Sequence, residues 1–133
     1  MSTPTATGRI AREATERSPH VDFDLDRRRL LLEGESYPED AAAFFGPLVA
    51  SLRRLVAELD GEAMTMELHL VYFNSSTAKA LMNMFLLLEE AARQGNEVVI
   101  KWHYHSDDEA MEEFGQEFAE DFEHVAFQLC RID

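Results

Sequence analysis

Two nearly continuous apolar runs, Met64 to Phe73 and Val98 to Trp102, flank a stretch from about Ser76 to Arg93 whose apolar residues recur at steps of three and four. The runs have the length and character of strands, and the stretch between them buries Ala80, Leu81, Met84, Phe85 and Leu88 on one helical face. Strands joined through a helix pair side by side in parallel, because a tight hairpin is no longer available to them. This one pattern places the chain in the α/β class. The near-continuous apolar character of Met64 to Phe73 further predicts a central strand buried on both faces.

The flanking segments extend the scheme in both directions. Val21, Phe23 and Leu25 alternate with aspartates, Asp26-Arg27-Arg28 is polar, and Leu30 and Leu32 alternate again, which predicts a β-hairpin. Pro38 with Glu39 and Asp40 behind it is suited to a first helical turn, and the apolar spacing from Ala41 carries the helix to about Leu59. Gly46-Pro47 inside that pattern predicts a kink or a short separate first turn. Asp107 to Phe122 reads as a third helix with Ala110, Phe114, Phe118 and Phe122 in one row, and Val125 to Leu129 as a closing strand. The sum is a mixed sheet of about five strands, the later ones parallel, covered by about three helices.

Residues 1–18 hold scarcely an apolar anchor beyond Ile10 and read as a flexible N-terminal tail, leaving residues 19–133 as one domain. The start of the chain lacks the apolar block of a secretion signal, and Lys79 and Asn83 interrupt the most apolar stretch, so a cytoplasmic protein is expected. Twelve basic residues against twenty-six acidic ones give a net charge of −14, which opposes binding to nucleic acid or to an anionic membrane. No Gly-rich phosphate loop and no Gly-x-Ser-x-Gly elbow is present, and Cys130 is the single cysteine. Neither an enzyme nor a bound cofactor is expected.

Three places remain where chemistry could reside. At the strand-to-helix junction, Asn74-Ser75-Ser76-Thr77 offers polar caps for the helix and exposed hydroxyls beside free backbone N–H groups, so it reads as a helix cap or as a phosphoacceptor. His103 and His105, two apart near a strand end, should project to one side and could hold a metal in a small enzyme or sensor. That reading needs a third ligand, from His69, Asp107 or Asp108, to converge by tertiary folding. The third helix carries acids with no basic partner among them, a solvated face or a dock for a basic partner.

The segments Gly34-Glu35-Ser36-Tyr37-Pro38-Glu39, Leu68-His69-Leu70-Val71-Tyr72-Phe73-Asn74-Ser75-Ser76, Leu87-Leu88-Glu89-Glu90-Ala91 and Val99-Ile100-Lys101-Trp102-His103-Tyr104 resemble, in type and order, the SiaC-type bacterial regulatory phosphoproteins. The likeness runs from about Ser18 to the C-terminus. It implies a STAS-like fold of the kind found in anti-sigma factor antagonists, and phosphorylation of the hydroxyl residue directly after an Asn or Asp at the junction. By position that residue is Ser75, with Asn74, Ser76 and Thr77 as flanking and capping residues. The resemblance also implies a Ser/Thr protein kinase and a PPM-type phosphatase as partners. The unmodified form would bind and activate a diguanylate cyclase, in control of cyclic di-GMP and biofilm growth. A STAS-like scaffold whose serines only cap the helix is the plainer alternative.

Overall fold

The computed structural model describes residues 8–133. Six strands, β1 (Arg9–Arg12), β2 (His20–Asp24), β3 (Arg29–Ser36), β4 (Ala63–Phe73), β5 (Glu97–His105) and β6 (Ala126–Ile132), form one sheet in sequence order. The first three pair antiparallel, and β3 through β6 are parallel. Helices α1 (Ala41–Glu58), α2 (Ser75–Arg93) and α3 (Glu109–Glu120) make the three crossovers between the parallel strands. Each crossover advances one strand in the same direction, and such connections are right-handed, so all three helices fall on the same face of the sheet.

That topology corrects the expectation of a strand buried on both faces. In β4, Met64, Met66, Leu68 and Leu70 are buried under the helices, whereas Thr65, Glu67 and His69 are only half-buried on the opposite face. The other face of the sheet carries no helix among the described residues. Half-polar residues such as Glu67, His69, Lys101 and His103 line it, and the apolar look of β4 comes from its inner face alone.

The additional strand β1 also departs from expectation, because Arg9–Arg12 lies within the segment assigned to a tail. Its anchors are mainly polar. Arg9 donates to both oxygens of Asp22 at 2.8 and 2.5 Å, and Arg12 donates to the Phe44 carbonyl at 2.9 Å with its guanidinium over the Phe44 ring. Ile10 packs against the edge of the core. The remainder of the expected tail that precedes residue 8 lies outside the described residues.

Helix α1 begins at Ala41, not at Pro38, because the Asp40 side chain accepts from the Ala43 N–H at 3.0 Å and so caps the first turn. It then runs through Pro47 as a single helix. Helix α3 lies close on the sheet at Gly115, over Trp102, whose indole N–H donates to the Met111 carbonyl at 2.9 Å. The expected phenylalanine row of α3 is only partly core, since Phe114 stays 42% exposed while Met111 and Gly115 are buried.

One irregularity sets the position of the β4–α2 junction. Gly34 pairs with Leu70 but Glu35 pairs with Tyr72, so Val71 is an extra residue in β4. The bulge reverses the phase of the strand. Tyr72 is turned out to solvent, and Phe73 is turned in, with its ring against Trp102, Phe114 and Phe118. A strand in regular alternation would do the reverse.

Candidate functional site

Anchored by Phe73, the chain leaves β4 at Asn74, in extended conformation, and enters α2 at Ser75. The Asn74 side-chain oxygen accepts from the Thr77 N–H at 2.9 Å, which makes Asn74 the helix cap. Its own N–H donates to the Ser36 carbonyl at 3.1 Å, tying the junction to the end of β3. The same carbonyl accepts from the Thr77 hydroxyl at 3.0 Å, and the Ser36 and Thr77 hydroxyls lie 2.9 Å apart. Both side chains are fully buried.

The three consecutive hydroxyls are therefore not equivalent. Thr77 is committed to packing, so a modifying enzyme would have to unfold the first turn of α2 to reach it. Ser75 and Ser76 are exposed in that turn, where the backbone N–H groups have no carbonyl one turn earlier to bond. The capping assignment shifts accordingly. Asn74 caps, Thr77 supplies the capped N–H, and Ser76 instead opens into a groove of about 470 Å³ between α1 and α2, which Arg53 and Lys79 also line.

An anion at Ser75 would meet the positive end of α2 together with Lys79, which stands one helical turn further along the same side. The surface beside it is apolar. Val71 and Tyr72 are about half exposed, and Tyr72 meets Tyr37 edge to face at 5.6 Å. Charge and apolar contact area thus lie side by side around Ser75.

The histidines pair differently from the sequence expectation. His103 stacks on His69 of the neighbouring strand, centroids 3.8 Å apart, while His105 is exposed near the end of β5. Glu67 completes this cluster, and Asp107 and Asp108 do not join it. Burial and the adjacent His69 lower the His103 pKa, and the Glu67 carboxylate opposes them. On α3, Glu113 and Glu117 are exposed, and Glu112 accepts from the Tyr104 hydroxyl at 3.2 Å.

Sequence reasoning passed over Glu89. This residue of α2 is buried, and its carboxylate accepts from the N–H groups of Glu123, His124 and Val125 at 3.0, 2.8 and 2.8 Å. It holds the loop between α3 and β6. The available signal was an acid four residues beyond the helix-face residue Phe85 and directly after Leu88, where an amphipathic pattern calls for an apolar side chain.

The family model of the SiaC family regulatory phosphoproteins matches residues 12–132. The chain belongs to this family. A Pseudomonas aeruginosa (strain UCBPP-PA14) protein described as uncharacterized is 37% identical over 108 residues, 80% of this chain and 84% of its own length. Among solved structures, apo-SiaC from Pseudomonas aeruginosa superposes with a TM-score of 0.82 at 31% identity, covering 96% of this chain and 100% of its own. SiaC bound to the diguanylate cyclase SiaD, which it activates, superposes at 0.87 with 32% identity, covering 92% of this chain and 99% of its own. The STAS-like α/β fold expected from the sequence is thus that of SiaC, with six strands in place of about five.

Proposed function

We propose that this SiaC family member is a non-enzymatic partner-switching protein whose switch is reversible phosphorylation of Ser75. A Ser/Thr protein kinase adds the phosphate and a PPM-type phosphatase removes it. In the unmodified state the surface around Ser75 binds and activates a diguanylate cyclase, and the phosphate ends that binding. The observation that carries this reading is the division of labour at the junction. Asn74 and Thr77 hold the turn, and Ser75 stands exposed beside them without a structural task that its hydroxyl must perform.

The physics of the switch follows from the surroundings. A phosphate adds roughly −1.5 to −2 charges at neutral pH, and helix N-termini tolerate such charge without melting. The fold persists, while the apolar surface of Val71 and Tyr72 acquires a strongly hydrated neighbour. Desolvating that phosphate to seat a partner costs more than the apolar contact returns. The relative SiaC, seen in complex with the cyclase SiaD, supports a cyclase as the partner class.

The test is a kinase reaction with the cognate enzyme, phosphopeptide mapping, and a cyclase assay. Phosphate is expected on Ser75, with Ser75→Ala activating the cyclase constitutively and Ser75→Asp activating it weakly. Phosphate confined to Ser76 would move the switch by one residue, and equal activation by both variants would refute it.

A further inference from the structure

On the bare face of the sheet, away from the Ser75 junction, two histidines and a carboxylate converge. The Oε2 atom of Glu67 lies 3.7 Å from His69 Nε2 and 3.6 Å from His103 Nε2. One ligand-competent atom from each of the three residues lies within 4.8 Å of the other two. We propose that Glu67, His69 and His103 form a binding site for a divalent first-row transition metal ion, with Zn²⁺ as its representative.

Distance is the first argument. Separations of 3.6 and 3.7 Å are too long for a hydrogen bond. They are close to the spacing of two ligands on one tetrahedral zinc, about 3.4 Å for metal–ligand bonds of about 2.1 Å. The second argument is a polar atom without a partner. His103 Nε2 is inaccessible to solvent and makes no hydrogen bond, a costly arrangement for an imidazole nitrogen unless something else takes its lone pair.

The surroundings suit an ion as well. Arg29 donates to Oε1 of Glu67 at 3.3 Å, which fixes the carboxylate while Oε2 faces the two rings, an outer contact of the kind that orients metal-bound carboxylates. A hollow of about 300 Å³, lined in part by His69, His103, His105 and Asp108, adjoins the cluster and leaves room for a water or a partner's side chain as a fourth ligand. Two imidazoles select against Mg²⁺ and Ca²⁺, which prefer oxygen.

Binding requires a small rearrangement. The two rings are stacked with only 13° between their planes, so their in-plane lone pairs run side by side rather than meeting at a point. An ion held by both needs each ring to rotate about χ2. That face of the sheet carries no helix to block the motion among the described residues, and His69 is the more exposed of the two.

The experiment uses untagged full-length protein stripped with a chelator and titrated with ZnCl₂ by calorimetry, with Co²⁺ absorption as a second reading. One ion per chain is expected. His69→Gln, His103→Gln and Glu67→Gln should each weaken Zn²⁺ binding by at least about tenfold, whereas His105→Ala should leave it within about twofold. Circular dichroism establishes that each variant is folded, and the near-isosteric Glu67→Gln carries the test if a histidine variant is not. The Co²⁺ complex should show the intense visible bands of a tetrahedral site, weakened in Glu67→Gln. Absence of saturable binding, several weak ions per chain, or equal losses in His105→Ala and His103→Gln would each overturn the proposal.

Discussion

The hydroxyl of Thr77 donates to the carbonyl of Ser36 across 3.0 Å in a fully buried setting, and this bond fastens the start of α2 to the end of β3. The hydroxyls of the same two residues are 2.9 Å apart. Replacing Thr77 by Val keeps the shape and strands the Ser36 hydroxyl, at an expected cost of about 1–3 kcal/mol. Ser36→Ala combined with Thr77→Val should cost less than the sum of the single changes, because no orphaned hydroxyl remains, while the Ser36 carbonyl keeps the Asn74 N–H. Urea unfolding of the four proteins measures this coupling. Under the proposed assignment, phosphorylation of Ser75 should survive in every variant that folds.

Asn74 sets the geometry one step earlier. Asn74→Ala removes the acceptor for the Thr77 N–H and should cost about 1 kcal/mol through fraying of the first turn. Asn74→Asp keeps the cap and adds a charge favourable to the helix N-terminus. Once Ser75 carries phosphate, the two negative groups repel, so Asn74→Asp should raise the melting temperature of the unmodified protein and lower that of the phosphorylated one. Thermal melts of both forms decide it, and shifts of the same sign would argue against a phosphate at Ser75.

Glu89 predicts a pH dependence. Burial alone would raise its carboxyl, but the three backbone N–H groups, aided by the His124 side chain, outweigh burial and hold the pKa at about 2, against an ordinary 4.5. The folded pKa is depressed, so the stabilisation is complete above pH 4.5 and disappears as pH falls from there toward 2. Its size is roughly 3 kcal/mol at neutral pH. Glu89→Gln should therefore lose most of that stability at pH 7 and almost none of it near pH 2, a convergence that unfolding curves at both pH values would display.

What the sequence revealed depended on how local the cause was. The apolar run Val98–Trp102, the helical spacing after Ser76 and the Asp26-Arg27-Arg28 turn are short-range patterns, and each gave its element within a few residues. Strand β1 was hidden because Arg9 and Arg12 hold it, and their partners Asp22 and Phe44 are distant in sequence. The phase change at Val71 was hidden because a bulge exists only in the register between two strands. His69 and His103 meet for the same reason: their strands are neighbours, a fact of pairing rather than of spacing along the chain. At the junction, Asn74, Ser75, Ser76 and Thr77 were all legible as polar residues. Which hydroxyl is buried depended on Ser36 and could not be read from the junction itself.

Gly115 offers the sharpest test of how α3 is seated. A glycine in the middle of an exposed helix costs about 1 kcal/mol relative to alanine, so Gly115→Ala would stabilise α3 on propensity alone. A β-carbon there would lie 2.5 Å from Leu129 Cδ2 and 2.5 Å from Trp102 Cδ1. Leu129 is 37% exposed and its methyl can swing away; Trp102 is buried, and its indole N–H is bonded to the Met111 carbonyl of the same helix. The helix must therefore rise from the sheet, and overpacking of this kind costs about 1–3 kcal/mol, enough to outweigh the propensity gain. Adding Leu129→Ala removes the yielding contact and should recover little, because the tryptophan is the obstacle. Trp102 is the sole tryptophan, so its fluorescence reports this contact directly: a red shift with lower stability is expected, and an unshifted spectrum with higher stability would mean that α3 does not rest on Trp102.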